Sequence, residues 1–164
     1  IKEFVNFTTE IVIEYAKAQY QAGSHIVEIA EPLASLNCIS PNMFREFVKP
    51  SLTKIANALE GIRILHICGR TQEIVPDIVK LGFEGISIEG DPARIKPLAG
   101  DVKILGNVSS KKTLVFGTAK EVKAETKKAL ETGVDLLEPD CGFSPDTPTE
   151  NIKAMVETRD EFYQ

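Results

Sequence analysis

Residues 61–89 read Gly61-Ile62-Arg63-Ile64-Leu65-His66-Ile67-Cys68-Gly69-Arg70-Thr71-Gln72-Glu73-Ile74-Val75-Pro76-Asp77-Ile78-Val79-Lys80-Leu81-Gly82-Phe83-Glu84-Gly85-Ile86-Ser87-Ile88-Glu89. The isoleucine-rich run 62–67 follows a glycine and reads as a strand. Residues 71–81 carry a helical pattern that stops at Gly82, and 84–89 reads as the next strand. Strand, helix and strand joined by short links predict two parallel strands with a helical crossover.

The same grammar runs outward in both directions. Phe4, Phe7, Ile11 and Tyr15, spaced by three or four, predict an opening helix. Gly23 and Ser24 break it, and 25–30 reads as a strand ended by Glu31-Pro32. Ser40-Pro41 pairs an N-cap residue with proline at the first helical position and opens a helix over 42–59, which Pro50 is expected to kink or interrupt. After Glu89 come a short helix over 92–98, a strand over 102–106, a helix over 118–131 stopped at Gly133, a strand over 134–138 and a helix over 149–162. Five strands alternating with helices predict an α/β fold, either an open doubly wound sheet or part of a (βα)8 barrel. No dinucleotide fingerprint or phosphate-binding glycine loop follows any strand, which favours the barrel. A whole (βα)8 barrel has eight strands and about 250 residues. The expectation is therefore a C-terminal fragment of about five βα units of the TIM-barrel family, with residues 1–164 forming a single domain. The start at Ile1 inside a helical pattern agrees with a piece cut from something longer. The first and last strands would be open edges, so self-association is expected.

Composition narrows the function. The 164 residues are 43% hydrophobic and 26% charged, enough for one sizeable core. A net charge of −5 offers no electrostatic footprint for nucleic acid. Neither a membrane-spanning run nor a charged-then-apolar leader is found, so a cytoplasmic location is expected. In such a reducing compartment Cys38, Cys68 and Cys141, an odd count, are read as core filler, metal ligands or nucleophiles rather than disulfides.

Side chains alternate faces along a strand, so His66 and Cys68 point together, away from Leu65 and Ile67. If Ile86 and Ile88 face the helices, Gly85, Ser87 and Glu89 face the barrel axis, and Glu89 ends its strand. Cys141 follows the last strand in Glu138-Pro139-Asp140-Cys141-Gly142. Three strand ends thus deliver a histidine, two thiols and a carboxylate to one rim, where barrel enzymes keep their chemistry. This donor set suits zinc, which takes nitrogen and sulfur and leaves one exchangeable position when catalytic. The competing reading is a satisfied barrel histidine, two small buried thiols and a solvated rim carboxylate. Cys38 pairs with nothing at ligand spacing and is read as a bystander. Asn107, after Gly106, is read as a loop cap or a substrate hydrogen-bonder, and Glu138 and Asp140 as supports behind the site.

His66-Ile67-Cys68-Gly69-Arg70-Thr71, Gly85-Ile86-Ser87-Ile88-Glu89, Gly106-Asn107-Val108 and Asp140-Cys141-Gly142-Phe143, with Thr147-Pro148-Thr149-Glu150-Asn151, resemble the methylcobamide:coenzyme M methyltransferases of the uroporphyrinogen decarboxylase superfamily. The resemblance spans nearly the whole chain. It implies a (βα)8 barrel present as its C-terminal half, with His66, Cys68 and Cys141 as permanent zinc ligands and Glu89 filling the fourth position until substrate arrives. It implies methyl transfer from a methylated corrinoid protein, which carries the methylcobamide, to the thiol of coenzyme M or another small thiol, with zinc activating the thiolate. Glu89 would then depart and take the thiol proton. Two alternatives stand: a metal-free tetrapyrrole decarboxylase of the same superfamily, and a non-catalytic corrinoid-binding barrel. The latter needs a cobalt-ligating histidine in a loop, which His25, opening a strand, fits poorly.

Overall fold

The structure is a computed structural model that describes residues 1–164. Five strands, β1 (Ile26–Ala30), β2 (Ile62–Ile67), β3 (Gly85–Ile88), β4 (Lys103–Val108) and β5 (Leu136–Pro139), form one sheet in the order β1-β2-β3-β4-β5, every pair parallel. A doubly wound sheet reverses its strand order at a switch point. Strictly sequential order with helical crossovers is the barrel arrangement, so these are five βα units of the (βα)8 type.

The helices are α1 (Lys2–Gln21), α2 (Pro41–Met43), α3 (Lys49–Ala58), α4 (Val75–Ile78), α5 (Pro92–Ala99), α6 (Thr113–Phe116), α7 (Ala119–Glu131) and α8 (Thr149–Phe162). No helix is long and apolar enough to cross a membrane. Ser40 caps α2 by accepting the Met43 N–H at 3.2 Å. A π turn over Phe44–Val48 then brings Pro50 into the first turn of α3, where its missing N–H breaks no ladder. The expected interruption is thereby absorbed as a change of helical pitch. The helix expected over 71–81 contracts to a 3-10 turn at Gln72–Ile74 and the single turn α4, because Pro76 has no N–H to continue a ladder begun at Thr71. The short α6 was not anticipated; its one buried residue, Leu114, gives no periodicity to read.

Alternation along the strands sorts the side chains. Val27, Ile29, Leu65, Ile67, Ile86, Ile88 and Ile104 join residues of α1, α3, α4, α5 and α7 in one core of 25 buried residues. A smaller cluster of Val108, Leu114, Val122, Ala154 and Met155 lies beneath α6, α7 and α8. The opposite face carries Ile26, Ile62 and Leu136 at its N-terminal end, all exposed, and His66, Ser87, Asn107 and Glu138 towards the C-terminal end.

Two contacts fix the loops at that end. Asn37 Oδ1 accepts the Arg70 N–H at 2.8 Å and the Ser35 hydroxyl at 3.0 Å, so the loop after β1 braces the loop after Cys68. Asp140 Oδ1 accepts both the N–H and the hydroxyl of Ser110 at 2.7 Å, joining the loops that follow β4 and β5. Gly69 is required at the first contact. Its φ is +65°, and a Cβ there would stand 2.5 Å from Asn37 Oδ1.

Two stability outcomes follow. Ile104→Ala empties a fully buried position on β4, facing the helices, and is expected to cost about 2–5 kcal/mol in urea unfolding. Gly69→Ala is expected to cost about 1–3 kcal/mol from the left-handed backbone alone, seen as a lowered denaturation midpoint. An unchanged midpoint would contradict the left-handed conformation at Gly69.

Candidate metal centre

His66 is the fifth residue of β2, and the buried Leu65 and Ile67 on either side leave its ring only the opposite face. Cys68 follows two residues later on the same side, and Cys141 lies two residues beyond β5. The structure brings these three together: their donor atoms all lie within 4.8 Å of one another. His66 Nε2 is 3.2 Å from Cys68 Sγ, and the two sulfurs are 3.6 Å apart as free thiols. Cys38 is exposed in the loop after β1 and takes no part.

On its other side the imidazole is held. His66 Nδ1 is 2.8 Å from Ser87 Oγ, and the Ser87 hydroxyl donates to Glu138 Oε1. Sequence reasoning put Ser87 on the inner face without assigning it a role. The available signal was a lone hydroxyl in the apolar strand Gly85-Ile86-Ser87-Ile88, in register with His66.

Glu89, one residue past β3, is not among the three grouped residues. Its Oε1 accepts from Lys111 Nζ at 2.7 Å, and its side chain is largely buried. Lys111 was missed because nothing distinguishes it from Lys112 in the sequence; the Asp140–Ser110 contact is what pins its loop. Asn107 Nδ2 donates to the Gly90 carbonyl at 2.6 Å, bracing the segment that carries Glu89. Beside Glu89 opens a cleft of about 460 Å³ lined by polar residues that include Asn37, Arg70, Asp91 and Arg94.

Burial, then the hydrogen bond and charge of Cys141 and the charge of Glu89, push the Cys68 thiol up to about 12, with Lys111 opposing them. Lys111 is itself raised, first by its bond to Glu89 and also by the two cysteines. Burial raises the Glu138 carboxyl, offset in part by the Ser87 hydroxyl. The Cys68 thiol, 3.6 Å from Cys141 Sγ and beside a ring nitrogen, thus holds its proton when no cation is near, and a cation is the partner that would make its thiolate favourable. One nitrogen and two sulfurs match zinc better than a hard ion, so these residues fit the metal expected from the sequence.

The uroporphyrinogen decarboxylase (URO-D) family model matches residues 1–162. The chain is 43% identical over 166 residues to the methylcobamide:CoM methyltransferase MtaA of Methanosarcina barkeri, covering 99% of this chain and 49% of that protein. It is 33% identical over 155 residues to the methylated-thiol–coenzyme M methyltransferase of Methanosarcina mazei, covering 93% of this chain and 42% of that one. A solved methyltransferase from Methanosarcina mazei superposes with a TM-score of 0.95 at 43% identity, over 99% of this chain and 50% of its own. The chain spans about half the length of these relatives. A match along all but two of its residues, with the same fold, means that this chain belongs to the uroporphyrinogen decarboxylase family.

Proposed function

We propose that the protein moves a methyl group from a methylated corrinoid protein to the thiol of coenzyme M, at a zinc ion held by His66, Cys68 and Cys141. The observation that carries this reading is the His66/Cys68/Cys141 cluster itself, in a chain 43% identical to a methylcobamide:CoM methyltransferase. A purely structural histidine and two filler cysteines have no reason to converge from two strand ends at a barrel rim.

Zinc, when bound, supplies the charge that keeps a substrate thiol deprotonated at neutral pH while leaving its sulfur nucleophilic. The chain's own residues do the rest. His66 contributes a neutral nitrogen, and Cys68 and Cys141 contribute two negative charges that balance a divalent cation, so an added thiolate makes the whole set anionic and keeps the sulfur electron-rich. Glu89 would supply the fourth ligand while substrate is absent and would accept the proton of an entering thiol. Lys111, its partner in the structure, gives the carboxylate a place to rest away from the three ligands. The thiolate sulfur then attacks the methyl carbon. The carbon–cobalt bond breaks with its electron pair remaining on cobalt, so Co(III) becomes Co(I) and the thiol becomes a thioether.

Cys68→Ala and Cys141→Ala are each expected to abolish zinc retention and methyl transfer together in the whole protein, measured by elemental analysis and thioether formation. Cys38→Ala is expected to leave both unchanged. Equal damage from all three would mean packing rather than ligation. A protein that retains no zinc and forms no thioether would instead favour a porphyrinogen decarboxylase. Glu89→Gln is expected to keep zinc on the three remaining ligands while slowing transfer by about 10²-fold or more; an unchanged rate would remove Glu89 from the reaction. The open outer edges of β1 and β5 and the exposed Ile26, Ile62 and Leu136 support self-association of the 164-residue chain expressed alone, read by sedimentation as a dimer.

A further inference from the structure

We propose that Ser87 and Glu138 are positioning residues that fix the tautomer of His66, so that Nε2 carries the free lone pair and faces the two thiols. This rests on the reading of the cluster as a metal site and adds to it the device that makes His66 a ligand.

The three residues come from three strands and meet on one face. His66 and Ser87 are register partners on β2 and β3, and both are almost fully buried. Glu138 reaches Ser87 from β5, across the intervening β4. In this interior a polar group without a partner is costly, so each atom must donate or accept as its neighbour dictates.

The direction of the chain follows from what each group is able to do. An ionised carboxylate only accepts, so the single proton of the Ser87 hydroxyl goes to Glu138 Oε1. The serine oxygen is then left with lone pairs alone facing His66 Nδ1, 2.8 Å away. Nδ1 must therefore carry the ring proton. A neutral imidazole has one N–H, so Nε2 is bare and points towards Cys68 Sγ at 3.2 Å. Without Glu138 the serine is free to rotate and donate to Nδ1, which moves the ring proton to Nε2, where it blocks the metal position. Glu138 thus acts on the metal through two hydrogen bonds and touches none of the three donor atoms. Histidine ligands in general depend on such a partner, and its loss weakens metal affinity about 10–100-fold.

The test uses the whole protein with 15N-labelled histidine, His66 being assigned by comparison with His66→Gln. Long-range proton–nitrogen correlation on the metal-free protein reports which ring nitrogen carries the proton, and competition with a chromophoric chelator reports zinc affinity. Wild type is expected to show an Nδ1–H ring. Ser87→Ala is expected to lose that bias and to bind zinc about 10–100-fold more weakly. Ser87→Thr, which keeps the hydroxyl on a residue suited to a strand, should restore both. Glu138→Leu, which removes the acceptor for the Ser87 hydroxyl, should move both readouts in the same direction as Ser87→Ala, and provides the decision if Ser87→Ala does not fold. A purely structural hydrogen bond would lower the melting temperature of Ser87→Ala and leave its tautomer and zinc affinity at the wild-type values, which would overturn the proposal. If wild type takes up no zinc, the reading of the metal site fails, and the tautomer of the metal-free protein still decides for or against the relay.

Discussion

Burial of Leu65 and Ile67 beneath the helices leaves the intervening side chain of β2 no choice of direction, because a strand turns alternate residues to opposite faces. His66 therefore points away from the helices, and Cys68 continues on its side. The same constraint acts on β3, where Ile86 and Ile88 are buried and Ser87 is turned inward. Each buried aliphatic side chain is worth about 1.5–3 kcal/mol, so slipping any strand by one residue would exchange several of these for exposed positions. Hydrophobic burial on one face is thus what aims the polar residues on the other.

Loops then set distances that strands alone cannot. Cys141 and Lys111 lie beyond the ends of β5 and β4, and the two hydrogen bonds from Ser110 to Asp140 hold those segments to each other. Asn37 performs the same service for the turn after Cys68, with Gly69 providing the backbone conformation and the clearance. The result is a region where two thiols, a carboxylate and an ammonium lie close together. Glu89 raises the Cys68 thiol and Lys111 lowers it, so the ion pair between them also bears on how strongly Cys68 holds its proton.

Much of this was legible in the sequence because it rests on local periodicity. The strands appeared within two residues of their observed bounds, the inward turn of His66 and Cys68 followed from alternation, and Cys141 joined them through its place after a strand. What escaped depends on contacts between distant elements. Ser87 looked like any inward serine until β5 brought Glu138 to it. Lys111 looked like its neighbour Lys112 until Asp140 fixed its loop. Glu89, expected at the same rim, is found paired with Lys111, a partner that no spacing rule reveals. The errors in the helices have a backbone origin: Pro50 is accommodated by a π turn and Pro76 shortens α4, and in both places the position of the missing N–H decides the outcome.

The central claim is that His66, Cys68 and Cys141 hold a zinc ion with one exchangeable position that receives the substrate sulfur. Zinc-edge X-ray absorption on the whole protein, with and without coenzyme M, tests it most directly. The account predicts two sulfur neighbours without the thiol and three with it, one oxygen neighbour being lost in the exchange. A zinc shell that never gains sulfur, or one that contains no sulfur from the protein at all, would contradict it.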